Sequence, residues 1–440
     1  MVCENAREAA RTLPRWLCDK VLGGEGLKGK TGGRALAASR FIMGFGLVSM
    51  LMDVVYEGAL SVQGPLLASL GATAATVGLI SGLGEATSLM GRLVTGPLAD
   101  RAGRYWLFAI AGYAITALAV PAMGLAGSVA AVGALVVLER MGKAVRTPSR
   151  DAMISHASAA VGRGKGFALH ELMDQIGATL GPLIVSAILV ATGGAYAKAL
   201  GVMLLPGAAA IAVLLFLRKQ NPDPARFERA DEDIVHGDAA VAADAAPASR
   251  YAASIGAAAR ELPASFWAYS LFCGFALVGV ATFAVLSFHM VSVHVVEESF
   301  IPVVYAIAML IDGAAAMFTG ALYDKIGPKT LLSLPLLSAL IPLFAYSDRV
   351  VPVMIGVLIW GVTTGIQEST MRAYVADLLP SCQRATGYGC FALVVGVGTM
   401  LGGAIAGWLY GMAGATAIIP FTLAIEALAT VMYVRILKKR

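Results

Sequence analysis

The sequence predicts an all-α membrane protein of about twelve spanning helices, arranged as two similar six-helix bundles. Three observations predict it. Of 440 residues, 58% are hydrophobic and only 14% are charged, with a mean hydropathy of +0.76. A soluble domain carries roughly 25% charged residues, so this chain lacks the charge to cover soluble cores. The apolar residues also run unbroken for about 20 positions at a time, the length of a helix across lipid rather than the alternating strands of a barrel. Finally, the second half of the chain repeats features of the first. A soluble enzyme, a disordered chain and a nucleic-acid-binding protein are excluded, and the net charge of +5 is too small to change that.

The elements follow in order. Residues 1–36 form a polar arm with Arg7, Arg11, Arg15, Lys20, Lys28 and Lys30. It has no apolar core leading to a small-residue cleavage site, so it reads as a cytoplasmic arm and not a secretory signal. Residues 37–217 hold six apolar segments, near Ala38–Leu60, Val77–Leu98, Tyr105–Ala126, Val129–Val145, Phe167–Val190 and Ala197–Leu217. Residues 218–263 are rich in Ala, Asp and Glu, with Pro222, Pro224 and Pro247, and read as a flexible cytoplasmic linker. Residues 264–436 hold six more segments, near Phe266–Val291, Ile301–Leu322, Thr330–Tyr346, Val350–Val375, Tyr388–Tyr410 and Ala415–Val434. Residues 437–440 are a basic tail. The five cysteines, Cys3, Cys18, Cys273, Cys382 and Cys390, have no metal-ligand spacing and read as reduced thiols.

Lys and Arg set the orientation. The N-terminal arm is basic. So are the turns with Arg101 and Arg104, with Arg146, Arg150, Arg163 and Lys165, with Arg218 and Lys219, with Lys325 and Lys329, and with Arg384, and so is the C-terminal tail. The intervening loops are nearly bare apart from Lys198 and Arg349. The positive-inside rule then places both termini and the linker in the cytoplasm, which an even number of spans also requires.

The two halves repeat. The second segment ends in Gly96-Pro97-Leu98-Ala99-Asp100-Arg101-Ala102-Gly103-Arg104, and the eighth in Gly320-Ala321-Leu322-Tyr323-Asp324-Lys325-Ile326-Gly327-Pro328. Both read G-x-x-x-D-[RK]-x-G. Gly177-x-x-x-Gly181-Pro182 on the fifth segment stands opposite Gly398-x-x-x-Gly402-Gly403 on the eleventh. With this duplicated loop motif the chain resembles the Major Facilitator Superfamily of secondary transporters, over about Ala38 to Arg435. A narrower likeness is to poorly characterised prokaryotic members, through Asp53-Val54-Val55-Tyr56-Glu57 and the stretch from Glu139-Arg140-Met141-Gly142-Lys143 to Arg146-Thr147-Pro148-Ser149-Arg150-Asp151. The resemblance implies two bundles that rock about a central site. It implies that Gly96, Asp100, Arg101, Gly103 and Arg104, with Gly320, Asp324, Lys325 and Gly327, set the balance between conformations, and that Asp151 is a partner for the motif's arginines. Gly96 and Gly103 are expected to allow tight turns between helices.

Ionisable side chains at bilayer depth are costly and usually functional. Asp53, Tyr56 and Glu57 share one helix face by their spacing of three and four. Two carboxylates a turn apart repel when both are ionised, so the pair is expected to hold a proton, as a proton-coupled carrier needs. The same pair is half of a divalent-cation site, and contact with a base such as Arg140 is the purely structural alternative. His170, Glu171 and Asp174 gather on the fifth segment, in the interior or at its interfacial start. Glu85 and Asp312 are single acids, and Gln367 and Glu368 bring polar groups to the second half. Glu426 either snorkels or faces a neighbour. Acids outnumber bases within the spans, which favours cationic or neutral cargo. Gly177, Gly181 and Pro182 suit close helix packing and resemble the glycine–proline motif of the family's exporters.

The expected function is proton-coupled efflux of a small-molecule substrate, by a monomer in the lipid bilayer of the cytoplasmic membrane. The proton gradient drives it, with no cofactor, no resident metal and no nucleic acid. The alternatives are uptake of a sugar or organic ion, divalent-metal transport through Asp53 and Glu57, and a non-transporting sensor. No phosphate loop, nucleophile elbow or Cys/His constellation points to an enzyme.

Overall fold

The computed structural model describes residues 30–158, 163–224, 227, 259–380 and 383–438. Most of the N-terminal arm and of the linker, with Cys3, Cys18 and Cys382, lies outside the described residues. Among those described, the chain is helical and contains no strand. The first half comprises α1 (Lys30–Ser69), α2 (Ala74–Ala102), α3 (Tyr105–Leu125), α4 (Val129–Ser158), α5 (Arg163–Thr192) and α6 (Tyr196–Gln220). The second comprises α7 (Ala264–Ser292), α8 (Ile301–Ile326), α9 (Ser333–Ala345), α10 (Val350–Leu378), α11 (Arg384–Ala413) and α12 (Ala415–Lys438).

Nine segments of the described chain are long and apolar enough to cross a membrane. One of them, Glu298–Ala345, contains both α8 and α9, while α2 and α4 fall short of that apolarity. Outward faces carry Leu118, Leu125, Met317 and Phe318, which suits contact with lipid tails.

The packing makes the internal repeat physical. In the first half α1 lies on α5 and α6, α4 on α2 and α3, and α3 on α6. In the second half α7 lies on α11 and α12, α10 on α8 and α9, and α9 on α12. Adding six to each helix number turns one set into the other. The paired glycines explain part of it. A Cβ on Gly181 would lie 2.8 Å from Val54 Cα on α1, and one on Gly398 would lie 3.0 Å from Gly274 Cα on α7. Only bare backbone permits these approaches. The halves meet through α2 on α11 and α5 on α8, again an exchange of equivalent helices, and through α7 on α1.

Two sequence expectations change here. The fourth apolar run stops at Val145, but α4 continues for several turns to Ser158, with Arg146, Thr147 and Ser149 buried. Hydropathy ends where charge begins, whereas the helix continues because neighbouring helices cover those charges. Gly96 lies inside α2, with a potential Cβ at an ordinary 3.6 Å from Pro148, so it makes no turn. Gly103 does: it caps α2 with φ 57°, and its N–H donates to Asp100 O at 3.2 Å. Gly327 ends α8 in the second copy, at φ 66°.

Gly181→Val should therefore lower the thermal unfolding midpoint of the purified protein, by an overpacking cost of about 1–3 kcal/mol. Gly320→Ala meets nothing within 4 Å and should leave the midpoint unchanged. Equal midpoints for the two variants would contradict the close approach of α1 and α5.

Candidate functional site

The ionisable residues of the interior converge on one region, organised by α4. Glu139, Lys143, Arg146 and Arg150 follow one another at spacings of four, three and four, which lines them along one side of that helix. Arg140 reaches in three directions. Its Nη2 is 2.9 Å from Glu85 Oε1 on α2, its Nε is 3.4 Å from Glu139 Oε2, and its Nη1 donates to the Tyr56 hydroxyl on α1. Gly84 makes room for it, since a Cβ there would lie 3.2 Å from Arg140 Cγ. The Arg140 guanidinium also stands 4.4 Å from the centroid of the Tyr56 ring, and Lys143 Nζ 3.9 Å from it. One tyrosine thus faces two cations.

Below this, Arg146 lies 4.0 Å from Asp53 Oδ1 and donates to Thr116 Oγ1 at 3.0 Å. Arg150 spans Asp151 (2.9 Å) and Asp174 on α5 (3.6 Å). His170 is buried: its Nδ1 is 3.4 Å from Asp174, and its Nε2 is 2.8 Å from Ser49 Oγ on α1. The His170–Asp174 pair is therefore buried among α1, α4 and α5, at the start of the apolar part of α5.

Glu57 joins the halves. Its Oε2 accepts a 2.6 Å hydrogen bond from the Tyr305 hydroxyl on α8. Asp312, two turns further along the same face of α8, is buried and hydrogen-bonded to Gln175 on α5, with its Oδ1 unpartnered. Glu368 and Arg372 on α10 and Glu171 on α5 are exposed, yet close enough for their charges to act on one another. Gln367 is half-buried beside Glu368.

At the opposite end the halves touch. Ser81 and Thr282 hydroxyls are 2.7 Å apart, Ser186 Oγ donates to Ser299 O at 2.5 Å, and Tyr196 donates to Glu298 at 2.9 Å. The halves are thus joined by polar contacts at this end, and α2 also meets α11 further along, at Met90 against Gly396 and Leu93 against Gly389.

The loop-motif residues stand apart from this site. Asp100 accepts a 3.0 Å hydrogen bond from the Tyr105 hydroxyl at the start of α3, and Arg101 and Arg104 are exposed. Asp324 and Lys325 are exposed, while their neighbour Tyr323 donates to Asp377 on α10 at 2.6 Å. The carboxylate of Asp151 is held by Arg150.

Sequence reasoning missed several members. Arg146 and Arg150 were expected in a loop. Arg92 on α2, whose buried Nε has no partner, Arg372 and Tyr305 were not singled out. An arginine at the end of an apolar run looks like a loop residue, and Tyr305 has no local signal at all. These bases narrow the excess of acids over bases without removing it. Among the described residues no group of three or more His, Cys, Asp or Glu could hold a metal ion. Asp53 and Glu57 turn instead to Arg146 and Tyr305.

Two equivalent six-helix bundles packed around a charged interior define the fold of a membrane transporter. The chain belongs to the Major Facilitator Superfamily, whose profile matches residues 34–311 and 294–440. A protein of Mycobacterium tuberculosis, described as uncharacterised, is 49% identical over 398 residues, covering 90% of this chain and 93% of its own. An uncharacterised MFS-type transporter of Methanocaldococcus jannaschii is 26% identical over 384 residues, 86% of this chain and 89% of its own. Among solved structures, a bacterial homologue of the human lysosomal transporter Spinster, inward-facing and occupied, superposes with a TM-score of 0.64 at 18% identity, covering 90% of this chain and 96% of that one. The nucleoside transporter NupG gives 0.65 at 13% identity, covering 90% and 99%. A POT family transporter in complex with 5-aminolevulinic acid gives 0.66 at 12%, covering 90% and 95%. At these identities the likeness is one of fold.

Arg140→Gln should leave Glu139 buried without its cation and free Glu85 and Tyr56. Breaking a buried pair from one side typically costs about 3–5 kcal/mol, so the unfolding midpoint should fall. Arg140→Lys should fall too, because an ammonium cannot reach three acceptors as a guanidinium fork does. A midpoint unchanged in both variants would show that the three-way contact does not hold these helices together.

Proposed function

We propose that this chain is a proton-coupled carrier that exports a small solute across the cytoplasmic membrane. Both termini and the linker then lie on the cytoplasmic side. The observation that carries the reading is the Glu57–Tyr305 hydrogen bond. It ties an acid of the first bundle to the second bundle, beside the Tyr56–Arg140–Glu85 contacts. An acid placed there changes both its charge and its grip on the opposite half when it gains or loses a proton, which is the linkage a coupled carrier needs. Asp53, Tyr56, Glu57, Glu85 and Arg140, with Gln367 and Glu368 opposite, line the proton and substrate site.

The basic loops support the sidedness. Export rests on Gly177, Gly181 and Pro182, which resemble the exporters' motif and which the fold uses to seat α5 on α1. The duplicated motif, Gly96, Asp100, Arg101, Gly103 and Arg104 with Gly320, Asp324, Lys325 and Gly327, acts with Asp151 as the conformational switch. The Tyr105–Asp100 and Tyr323–Asp377 hydrogen bonds support that role, because each ties a motif to a neighbouring helix or its start. The carrier works as a monomer with no cofactor.

The test is thermal unfolding of the purified full-length protein against drugs, sugars, organic acids, nucleosides and divalent metals. A ligand at 100 times its dissociation constant should add about 2.7 kcal/mol. An organic ligand should stabilise the wild type and fail to stabilise Glu57→Gln, while Asp100→Asn should bind it with altered affinity by shifting the state populations. Stabilisation by divalent metals alone would overturn the reading. So would an organic ligand that binds Glu57→Gln and wild type equally at every pH.

A further inference from the structure

One buried acid lies outside the central cluster and has no counterpart. Glu426 on α12 is 1% exposed, and neither of its carboxyl oxygens has a hydrogen-bond partner. It faces α7, against Gly279, where a Cβ would stand only 3.0 Å from the carboxyl carbon. At that point α7 is broken. Its two pieces are Ala264–Val278 and Phe283–Ser292. The N–H groups of Gly279 and Val280 turn back to Ala276 O (3.2 Å) and Leu277 O (3.3 Å).

Side chains of other helices serve carbonyls freed by the break. Thr422 Oγ1, one turn before Glu426, donates to Gly279 O at 3.2 Å, and Trp360 Nε1 donates to Ala281 O at 3.1 Å. A cleft lined by Val278, Gly279, Tyr346, Phe421 and Thr422 opens beside them, and the buried Tyr346 hydroxyl is also without a partner.

We propose that Glu426 is a proton-binding site that clamps the break in α7. In this proposal the buried, unpartnered carboxyl carries a proton where it lies against the broken turn. Nothing there would compensate a carboxylate: the group is buried, neither oxygen has a partner, and it lies against the turn at Gly279. From α11 the facing residues are apolar, Gly402 and Ala406. The titratable groups on the packed helices are Tyr346 just after α9, Tyr269 and Cys273 on the first piece of α7, His289 on its second piece, and Cys390 and Tyr410 on α11. His289 is held by Tyr410 Oη (2.8 Å) and Ser347 O (3.2 Å). Lys329 belongs to the segment that meets α12 at its other end, where Tyr433 donates to Pro328 O.

The consequence is mechanical. The second piece of α7 carries contacts of the joined end: Thr282 meets Ser81, and Ala284 and Ser287 crowd Gly64 on α1. When Glu426 gives its proton to water, a negative charge stands against carbonyl oxygens. The break must then rearrange, and the gate moves with it. This site is independent of the cargo and of the Asp53–Glu57 face.

The test is the distance across the joined end in full-length protein. Spin labels on Ala130→Cys and Val351→Cys, with the native cysteines removed, report it from acidic to alkaline buffer. The wild-type background should gain a long-distance population as the pH rises. Glu426→Gln, an isostere of the neutral acid, should lose that response and lack one protonated-carboxyl infrared band. Gly279→Ala, which displaces the carboxyl, should show the long distance in acid as well, and His289→Gln should respond like the wild type. A pH-independent distance in the wild type, or a Glu426→Gln response equal to the wild type's, would overturn the proposal. If Glu57→Gln alone abolished the response, the proposed function would stand and this inference would fall.

Discussion

Everything in this molecule depends on how charge is answered inside a membrane. An ionised side chain cannot be left alone at bilayer depth, and α4 carries Arg140, Lys143, Arg146 and Arg150 there. The helices around it are arranged to meet that demand. Glu85 comes from α2, Tyr56 and Asp53 from α1, Thr116 from α3, and Asp174 from α5. Arg140 shows how far this goes, since one guanidinium fixes the relative position of three helices. Glycines then set how near the helices can come, at Gly84 beside Arg140 and at Gly177 and Gly181 against α1.

The same constraint gives the fold something to switch. Contacts within the first bundle are dense and mutual, and they hold it as one body. Between bundles the polar ties are fewer and shift in character along the axis. At one end they are hydroxyl and carbonyl contacts, such as Ser81–Thr282 and Ser186–Ser299. Midway there are acid links, from Glu57 to Tyr305 and from Asp312 to Gln175. At the far end Glu171, Glu368 and Arg372 are exposed, while Leu93 on α2 meets Gly389 on α11. Weak ties at the ends and titratable ones between them suit two rigid bodies that rock, because the cost of changing partners falls on a few side chains. The pseudo-symmetry supports this, as equivalent helices α2 and α8, and α5 and α11, supply the sliding faces.

Much of this was legible in the sequence. Continuous apolar runs gave the helices, since lipid imposes a length that composition records directly. The glycine pairs of the fifth and eleventh segments marked where α5 meets α1 and α11 meets α7. Gly103 and Gly327 marked real turns, while Gly96 looked the same in one dimension and lies within a helix. The Asp53–Tyr56–Glu57 face was visible because its spacing is local. Its partners were not: Tyr305 is 248 positions from Glu57, and nothing near it announces the contact. Arg146 and Arg150 were assigned to a loop for a physical reason. Hydropathy treats a charge as the end of a span, but a helix surrounded by acids carries charge inward. Glu426 was noticed as an oddity. Only the break in α7, invisible in an apolar run, shows what it faces.

The central claim is that proton movement through the Glu57 region is tied to cargo movement. It is tested most directly in inverted membrane vesicles that hold an acid interior, with a pH-sensitive dye and a ligand identified by binding. Adding the ligand should discharge the pH difference in vesicles with the wild-type protein, and should leave it intact in vesicles with Glu57→Gln. Uptake of the ligand with no discharge in the wild type, or equal discharge in the variant, would contradict the account.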